Sequence, residues 1–549
     1  MCVVTLDFQN AFDRISHEYF FSTLRSYGLS DRLILLIQSL YTDVTSAVLF
    51  NGDLHGQIPI CCEVRQGCPL SMTLYNLCLQ PFLNLLEQRL TGISIGRRHR
   101  PISVVAYADD VTIFVKSQTD LPVIEDAIRL FEKASGARLS ARKSKALPTG
   151  RWNTNTNIIG IPYHPHVEIL GVQFCNTIQQ SAQATWTQLT GRVRTHTKEA
   201  YSGDLCLANR ISYTQIYLLS KIWYVAQIFP PTKTHTQQIT TAINFFIWKG
   251  ATFRVPISTF QAPKSRGGWE LIDVNSKCKA LLYYRMYNQS KREKTTTAAW
   301  IQECELHAPI QNPLNMTINT RTPTYVRSYA MDMAYIPPPC NNETPRLFRK
   351  RIYRTLHAMV KATIQPTSLG VEIRYPNHNW PQIWRNLHIA RIPEVILSVW
   401  YTVIHDIIPT KQRLLKIALT NTDRCVKCDQ TDTLLHRMTD CGAGQQIWKW
   451  TQDRLATMLK TSPKYIPAEW TLRPNFSTRS IQRHRAILWL IAHLVYYQTK
   501  SDTQNTLQDY ADFLRRARWK AQTKDKQHKK KWKLPTDDID RRINNNIPP

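Results

Sequence analysis

A chain of 549 residues exceeds what one hydrophobic core serves, so about two to four domains are expected. A hydrophobic content of 43% with 10% aromatic residues excludes a disordered chain. Seventy Lys and Arg against 40 Asp and Glu leave a formal +30, which points to a polyanionic partner, nucleic acid first and an anionic membrane surface second. No apolar run reaches the ~18 residues of a bilayer span, and no signal peptide opens the chain. The 13 cysteines, odd in number and mostly scattered, fit a reducing compartment better than a disulfide framework.

In chain order, residues 1–8 read as a strand, and helical spacing follows at 16–28, with Gly28 as a stop, and at 31–42. "TSAVLFNGDLHGQIPI" carries the Asn51-Gly52 turn signal of a hairpin. Residues 69–90 predict a long helix with Pro69 at its first position, followed by a hairpin at 102–115, a helix at 119–135 and a strand at 166–175. The pattern is α+β, a small, mostly antiparallel sheet with helices on one face. From about 180 to 290 it turns helical. Residues 290–345 are rich in Thr, Asn and Pro and read as irregular. A second helical block at 380–420 precedes a Cys/His segment and a further helical block, in which "AILWLIAHLVYY" (486–497) reads as a buried helix.

Two divalent cations a few Å apart can clamp the attacking and leaving oxygens of a phosphoryl transfer, and they need several carboxylate oxygens converging on one point. Asp109 and Asp110, at the tip of the hairpin "SVVAYADDVTIFV", can present two of them, and Asp7, ending the apolar run "VVTL", a third. Taken singly, a surface turn and a strand-to-helix cap explain these residues as well.

Five stretches in order resemble the reverse transcriptases of non-LTR (LINE-type) retrotransposons. "LDFQNAFDRISHEYF" and "AYADDVTIFV" are similar to the two catalytic palm motifs, and "VRQGCPLSMTLYNL" to the substrate-cradling motif. "ASGARLSARKSKAL" is similar to the following helix–loop, and "EILGVQF" to the primer-side hairpin. The resemblance implies a polymerase palm followed by a mostly α-helical thumb and C-terminal region. It implies that Asp7, Asp109 and Asp110 bind two Mg²⁺, that Phe12 blocks a ribose 2′-OH, and that Gln66 and Gly67, with Arg65 adjacent, line the nucleotide and template pocket. Lys143 takes the position of a lysine that protonates the leaving pyrophosphate. A core Phe, a solvated strand end and a solvated surface Lys are the alternatives for Phe12, Arg65 and Lys143. The chain departs from the family pattern at Cys68, Met72 and Ser140. Met1 lies where the family carries a fingers subdomain ahead of the first catalytic motif, so a truncated chain is expected.

Residues 245–274 resemble a recurring segment beyond the family's thumb, and the Lys264–Gly268 run within it reads either as a phosphate contact or as a plain basic turn. Cys425, Cys428, His436 and Cys441 form a C-x2-C-x7-H-x4-C pattern whose two halves can close a tetrahedral, structural Zn²⁺ site; unrelated residues are the alternative. The surrounding sequence resembles the zinc-binding segment that follows LINE-type reverse transcriptases. Residues 515–533 hold ten Lys/Arg and interleave Trp519 and Trp532, a pattern for nucleic-acid binding, a nuclear-localisation signal or a solvated tail.

The expected organisation is a palm at 1–178, a helical thumb and post-thumb region at 179–290, and a linker at 291–379. A zinc-binding segment at 380–455, a helical region at 456–514 and a basic tail at 515–549 follow. The implied function is RNA-directed DNA polymerisation on an RNA template from a DNA primer or target with dNTPs, in the nucleus and without a membrane. A catalytically inactive relic that binds nucleic acid, or a maturase-like RNA-binding protein, are the alternatives.

Overall fold

The computed structural model describes residues 1–60, 62, 64, 68–94, 101–291, 336–340, 342–363, 370–389, 392–500 and 506–527. They gather into two compact units. The first comprises Met1–Leu189, Val225–Thr232 and Leu281–Glu343, and the second Thr190–Tyr224, Lys233–Ala280 and Thr344–Pro549.

The first unit is built on β1 (Cys2–Leu6), which has no polar residue except Thr5 and forms an inner strand of a four-stranded antiparallel sheet. Its neighbours are β5 (Asp110–Val115) and β6 (Lys145–Pro148), and β4 (Val104–Tyr107) pairs β5 at the sheet edge. Alternation along β1 divides the core between two faces. Cys2, Val4 and Leu6 join the main core, whereas Val3 packs with Leu147 and Val167 on the other side. Three helices bury their apolar faces in the main core: α1 (His17–Ser26), α3 (Ser71–Arg89) and α4 (Leu121–Ser135). The opposite face receives Val167 and the half-buried Ile169 and Phe174 of β7 (His166–Ile169) and β8 (Val172–Cys175).

Ser16 caps α1 through a hydrogen bond from the Tyr19 N–H, and Gly28 (φ 73°) turns the chain one residue after its C-cap. α2 (Asp31–Ser39) and the hairpin β2 (Thr45–Phe50) and β3 (Asp53–Pro59) follow, with Asn51 and Gly52 both at positive φ in the turn.

Three expectations for this unit are corrected. Helix α3 begins at Ser71 and not at Pro69, and its one internal proline is Pro81. The single strand that the residue pattern reads at 166–175 is instead a hairpin, as the resemblance of "EILGVQF" implies, because Leu170 (φ 49°) and Gly171 (φ 78°) both turn left-handed between β7 and β8. The helix expected at 119–135 opens with a 3₁₀ turn, Gln118–Asp120, closed by a capping box between Ser117 and Asp120.

The second unit is helical. Its larger helices are α5 (Lys233–Trp248), α6 (Pro345–Thr363), α7 (Trp380–Ile389), α8 (Glu394–Ile404), α9 (Gly442–Leu459), α10 (Ile481–Lys500) and α11 (Leu507–Gln527). The stretch read as a buried helix is the middle of α10, where Ala486–Leu488 and Leu490–Val495 are all buried. Helix α6 corrects the expectation of an irregular linker at 291–379. Phe348, Ile352 and Leu356 are buried at four-residue spacing, a stripe masked in the sequence by the arginines and lysines between them. Residues 292–335, 341 and 364–369 of that expected linker lie outside the described residues. Helix α11 carries helical structure as far as Gln527, into the tail expected from 515, anchored by the buried Tyr510, Ala511 and Leu514. Lys529–Lys531 and Trp532 lie outside the described residues. Among the described residues no helix is long and apolar enough to cross a membrane, and the described cysteines are all free.

A polar hub ties the middle of this unit together. The fully buried Asn386 amide donates to the carbonyls of Pro474 (2.6 Å) and Phe476 (2.9 Å). Its Oδ1 accepts from Gln382 Nε2 and His484 Nε2, both at 2.7 Å.

The Lys264–Gly268 turn shows why both its glycines are needed. Gly267 sits at φ 75° with Trp384 so close that a Cβ would lie 2.5 Å from the indole. A Cβ on Gly268 would lie 1.8 Å from the Ala262 carbonyl oxygen. The glycines serve packing, while Lys264 and Arg266 remain exposed.

Candidate active site and Cys/His centre

The first constellation forms where β1 and β5 end. The register of this pair runs from Cys2 opposite Val115 to Leu6 opposite Val111. One step further sets Asp7 opposite Asp110, so their side chains leave the sheet on the same face. Asp109 occupies the two-residue turn between Tyr107 and Asp110. Its neighbour Ala108 is held at φ 53°, a left-handed conformation that costs a non-glycine residue on the order of 1 kcal/mol. That turn brings the two adjacent aspartates to the sheet end, and the structure thus gathers Asp7, Asp109 and Asp110.

The electrostatics agree with this placement. Partial burial, and then the negative charges of Asp109, Asp7 and Glu168, hold the Asp110 carboxyl above its ordinary value. Crowded carboxylates with no cation between them show this behaviour, and a bound cation would reverse it. Hard carboxylate oxygens are the donor set that Mg²⁺ prefers.

Asp7 is clamped from behind. Its N–H donates to Ser144 Oγ at 3.0 Å, Ser144 Oγ donates to the Ser140 carbonyl at 2.9 Å, and the Ser140 N–H returns to the Asp7 carbonyl at 2.8 Å. Phe8, next in sequence, wedges between Phe82 and Phe131, with ring centroids 6.1 and 5.5 Å away. Gly136 (φ 79°) closes α4 so near the preceding loop that a Cβ would meet the Arg14 carbonyl oxygen at 2.8 Å. The loop after Asp7 is therefore latched to residues 135–144.

Phe12 is half-buried and stacks on Tyr75 of α3 at 4.4 Å. The Tyr75 hydroxyl is pushed up by burial and then by the charge of Asp109, which puts this aromatic pair beside the carboxylates. Lys143 is exposed in the 140–144 turn. Arg65, Gln66 and Gly67 lie outside the described residues. Tyr75 and Glu168 escaped sequence reasoning. Tyr75 lies in the quoted motif as an ordinary helical aromatic, and Glu168 is one acid in a short strand.

The second constellation is compact. One donor atom each from Cys425, Cys428, His436 and Cys441 lies within 4.8 Å of all the others. The sulfurs of Cys425 and Cys428 stand 3.8 and 3.9 Å from that of Cys441, and Cys428 Sγ is 3.2 Å from His436 Nε2. Tetrahedral ligands about 2.3 Å from a shared Zn²⁺ have their sulfurs about 3.8 Å apart, so the thiols are already spaced for that ion.

Burial raises the Cys425 thiol, but hydrogen bonds from the Lys427 backbone and from His436, Cys428 and Cys441 outweigh it and bring it down to about 7. Burial and the two neighbouring sulfurs push Cys441 up to about 12. A cation bound among these donors would favour the thiolate forms over the thiols. The Cys425–Gln430 turn is closed by the Cys425 N–H to the Gln430 carbonyl at 2.7 Å, with Asp429 at φ 56°. Behind it, buried Asp432 accepts two hydrogen bonds from Arg437 and one from the Lys411 N–H. Those bonds outweigh the effect of burial and hold its carboxyl below the ordinary value.

Comparison with known proteins bears on the part of the chain that carries the first constellation. Residues 1–174 match the family model of the reverse transcriptase (RNA-dependent DNA polymerase). The chain is similar to the Transposon TX1 uncharacterized 149 kDa protein of Xenopus laevis, 27% identical over 282 residues, which is 50% of this chain and 21% of that protein. It is also similar to the Retrovirus-related Pol polyprotein from type-1 retrotransposable element R2 of Popillia japonica, 32% identical over 120 residues, 22% of this chain and 20% of that protein. The corresponding polyprotein from the type-2 element R2DM of Drosophila melanogaster is 29% identical over 141 residues, 26% of this chain and 13% of that protein. The chain therefore spans about a fifth or less of the length of these relatives. Residues 1–174 are thus similar to the reverse transcriptase family, and the relatives that the chain resembles come from a transposon and from R2 retrotransposable elements.

Proposed function

We propose that this chain carries the RNA-directed DNA polymerase activity of a LINE-type retrotransposon. The observation that carries the reading is the register of the paired strands, which ends at Leu6 opposite Val111 with Asp7 and Asp110 next in line and Asp109 in the adjoining turn, while the Asp110 carboxyl is held above its ordinary value by burial and by its acidic neighbours. Asp7, Asp109 and Asp110 would hold two Mg²⁺, which when bound neutralise charge on the phosphates and lower the barrier to deprotonating the primer 3′-OH. The 3′-oxygen attacks the α-phosphate of a dNTP in line, the bond to pyrophosphate breaks, and Lys143 returns a proton to the leaving group. Phe12, braced on Tyr75, excludes a 2′-OH, and Arg65, Gln66 and Gly67 line the nucleotide and template pocket. Positioning and charge neutralisation supply the rate.

In this reading residues 1–178 are the palm, 179–290 the thumb and post-thumb region, and 380–455 a segment closed by structural Zn²⁺ on Cys425, Cys428, His436 and Cys441. The partners are an RNA template, a DNA primer or target, and dNTPs, and the site of action is the nucleus. The charge of +30 supports a nucleic-acid partner.

Primer extension on a homopolymer RNA template tests the polymerase. The wild type is expected to incorporate dNTP in Mg²⁺, and the Asp109→Ala, Asp110→Ala double variant is not. Equal incorporation by the two leaves the chain a nucleic-acid-binding module. Metal analysis of the purified chain is expected to give about one zinc, falling below half in Cys428→Ser.

A further inference from the structure

The helical unit contains a cavity of about 210 Å³ whose lining includes Phe253, Arg254, Arg374, His405 and Arg413. Its size is below the ~300 Å³ at which pockets for drug-sized ligands begin, so it suits a small group. Three arginines are among its lining residues. Asp406, held at φ 53° just past the end of α8, faces two of them: Arg374 Nη1 donates to its Oδ2 at 3.3 Å, and Arg413 Nη1 lies 3.2 Å from Oδ1. The Arg413 contact is an ion pair without hydrogen-bond geometry, so this nitrogen keeps a buried proton to give. Arg413 also lies over the Phe253 ring, 4.5 Å from its centroid. Burial lowers the Arg413 guanidinium, and Asp406 does not make up the loss against the push of Arg374.

His405 is the second observation. It is 2% exposed, and burial followed by Arg374 brings it down to about 3, so the ring is neutral. Its faces are covered by Trp384 and Tyr401, leaving its edge for polar contact. Among the described residues its buried Nε2 has no hydrogen-bond partner. Arg374 is already committed, through Nε to the Gly370 carbonyl (3.3 Å), Nη1 to Asp406 and Nη2 to the His405 carbonyl (3.0 Å), so the polar atoms left over beside the cavity are Arg413 Nη1 and His405 Nε2.

We propose that this cavity binds one phosphate group, with Arg254, Arg374 and Arg413 supplying charge and His405 Nε2–H a hydrogen bond. Guanidinium groups match phosphate oxygens in geometry, and Phe253 holds the Arg413 fork in place. The group is either free phosphate or a phosphodiester of bound RNA, which share this chemistry. The site is made of other residues than Asp7, Asp109 and Asp110, and its test needs no polymerisation.

The experiment uses the full chain and the variants Arg254→Ala and Arg254→Glu. Arg254 is exposed and donates from Nε to the Ala251 carbonyl at 2.7 Å, so both variants are expected to keep the wild-type melting temperature in phosphate-free buffer. In one arm inorganic phosphate is titrated calorimetrically, and affinity is expected to fall at least tenfold in Arg254→Ala and to vanish in Arg254→Glu. In the other arm a short unphosphorylated single-stranded RNA is titrated at several salt concentrations. If the site takes a backbone phosphate, the slope of log K against log salt shrinks by about 0.7 in Arg254→Ala. Weaker phosphate binding with an unchanged slope assigns the site to free phosphate. Wild-type behaviour of both variants in both arms overturns the proposal.

Discussion

Replacing Asn386 by alanine removes a side chain whose amide has every hydrogen bond satisfied without exposure to water. Three buried groups then lose their partner: the Pro474 and Phe476 carbonyls, which its Nδ2 serves, and the Nε2–H of His484. Gln382 also donates to Asn386 but is half-buried and can turn toward solvent. A buried polar group left unpaired costs roughly 1–3 kcal/mol, so three of them sum to about 3–9 kcal/mol before any relaxation. That is a large share of the ~5–15 kcal/mol that holds a folded protein together. The loss is read from urea unfolding followed by the fluorescence of the buried Trp384 and Trp400, with hydrogen exchange across 471–476 as the local probe. Asn386→Asp is expected to be worse, because a carboxylate would face two carbonyl oxygens with nothing to donate. A loss below about 1 kcal/mol in Asn386→Ala, with protection at 471–476 unchanged, would refute the reasoning.

Other perturbations test separate parts of the molecule. Mg²⁺ at a hundred times its Kd is expected to stabilise the wild type by about 2.7 kcal/mol and Asp110→Asn by much less, measured as thermal shifts. Without Mg²⁺ the order reverses, since a carboxyl held above its ordinary value favours protonation, and stability falls as pH rises through its titration. Gly268→Ala forces its Cβ onto the Ala262 carbonyl in a turn held by the Trp269 and Leu271 N–H groups on Phe260 O, with an expected loss of about 3 kcal/mol. Gly191→Ala, with nothing within 4 Å of its Cβ, is expected to gain about 0.5 kcal/mol, so melting temperatures should move in opposite directions. Buried His405 and His493 are pushed down to about 3 and about 4, so the unfolded chain takes up protons that the folded one refuses below pH 6.5. Stability is expected to fall by up to about 3 kcal/mol per pH unit between pH 6.5 and 5, and a flat profile in urea unfolding would contradict it.

Much of the first unit was legible because its signals are local. Asn51-Gly52 announces a hairpin, alternation marks β1, and adjacent aspartates between strand residues mark a turn. The Cys/His spacing brought four donors together for the same reason. What escaped depends on partners distant in sequence. Asn386 looks like an ordinary helix residue until Pro474, Phe476 and His484 close around it. The glycines at 267 and 268 suggest a phosphate loop, yet Trp384 and the Ala262 carbonyl dictate them. The Leu170-Gly171 turn was hidden from the residue pattern, because β-propensity continues on both sides of it, and only the resemblance of "EILGVQF" to a hairpin pointed to it. Tyr75 and Glu168 carry no motif of their own, and only the fold brings them near Asp109 and Asp110.

The two ligand-rich centres differ in when they can come into being. The four donors of the Cys/His centre lie within residues 425–441, so closing that loop costs little entropy and can precede the docking of any neighbouring helix. Asp7 and Asp110 come near one another only through the pairing of strands about a hundred residues apart, braced by a loop latched to residues 135–144. On a growing chain, the early Asp7 must wait for most of its unit to emerge, whereas the late Cys/His centre is ready as soon as it is made.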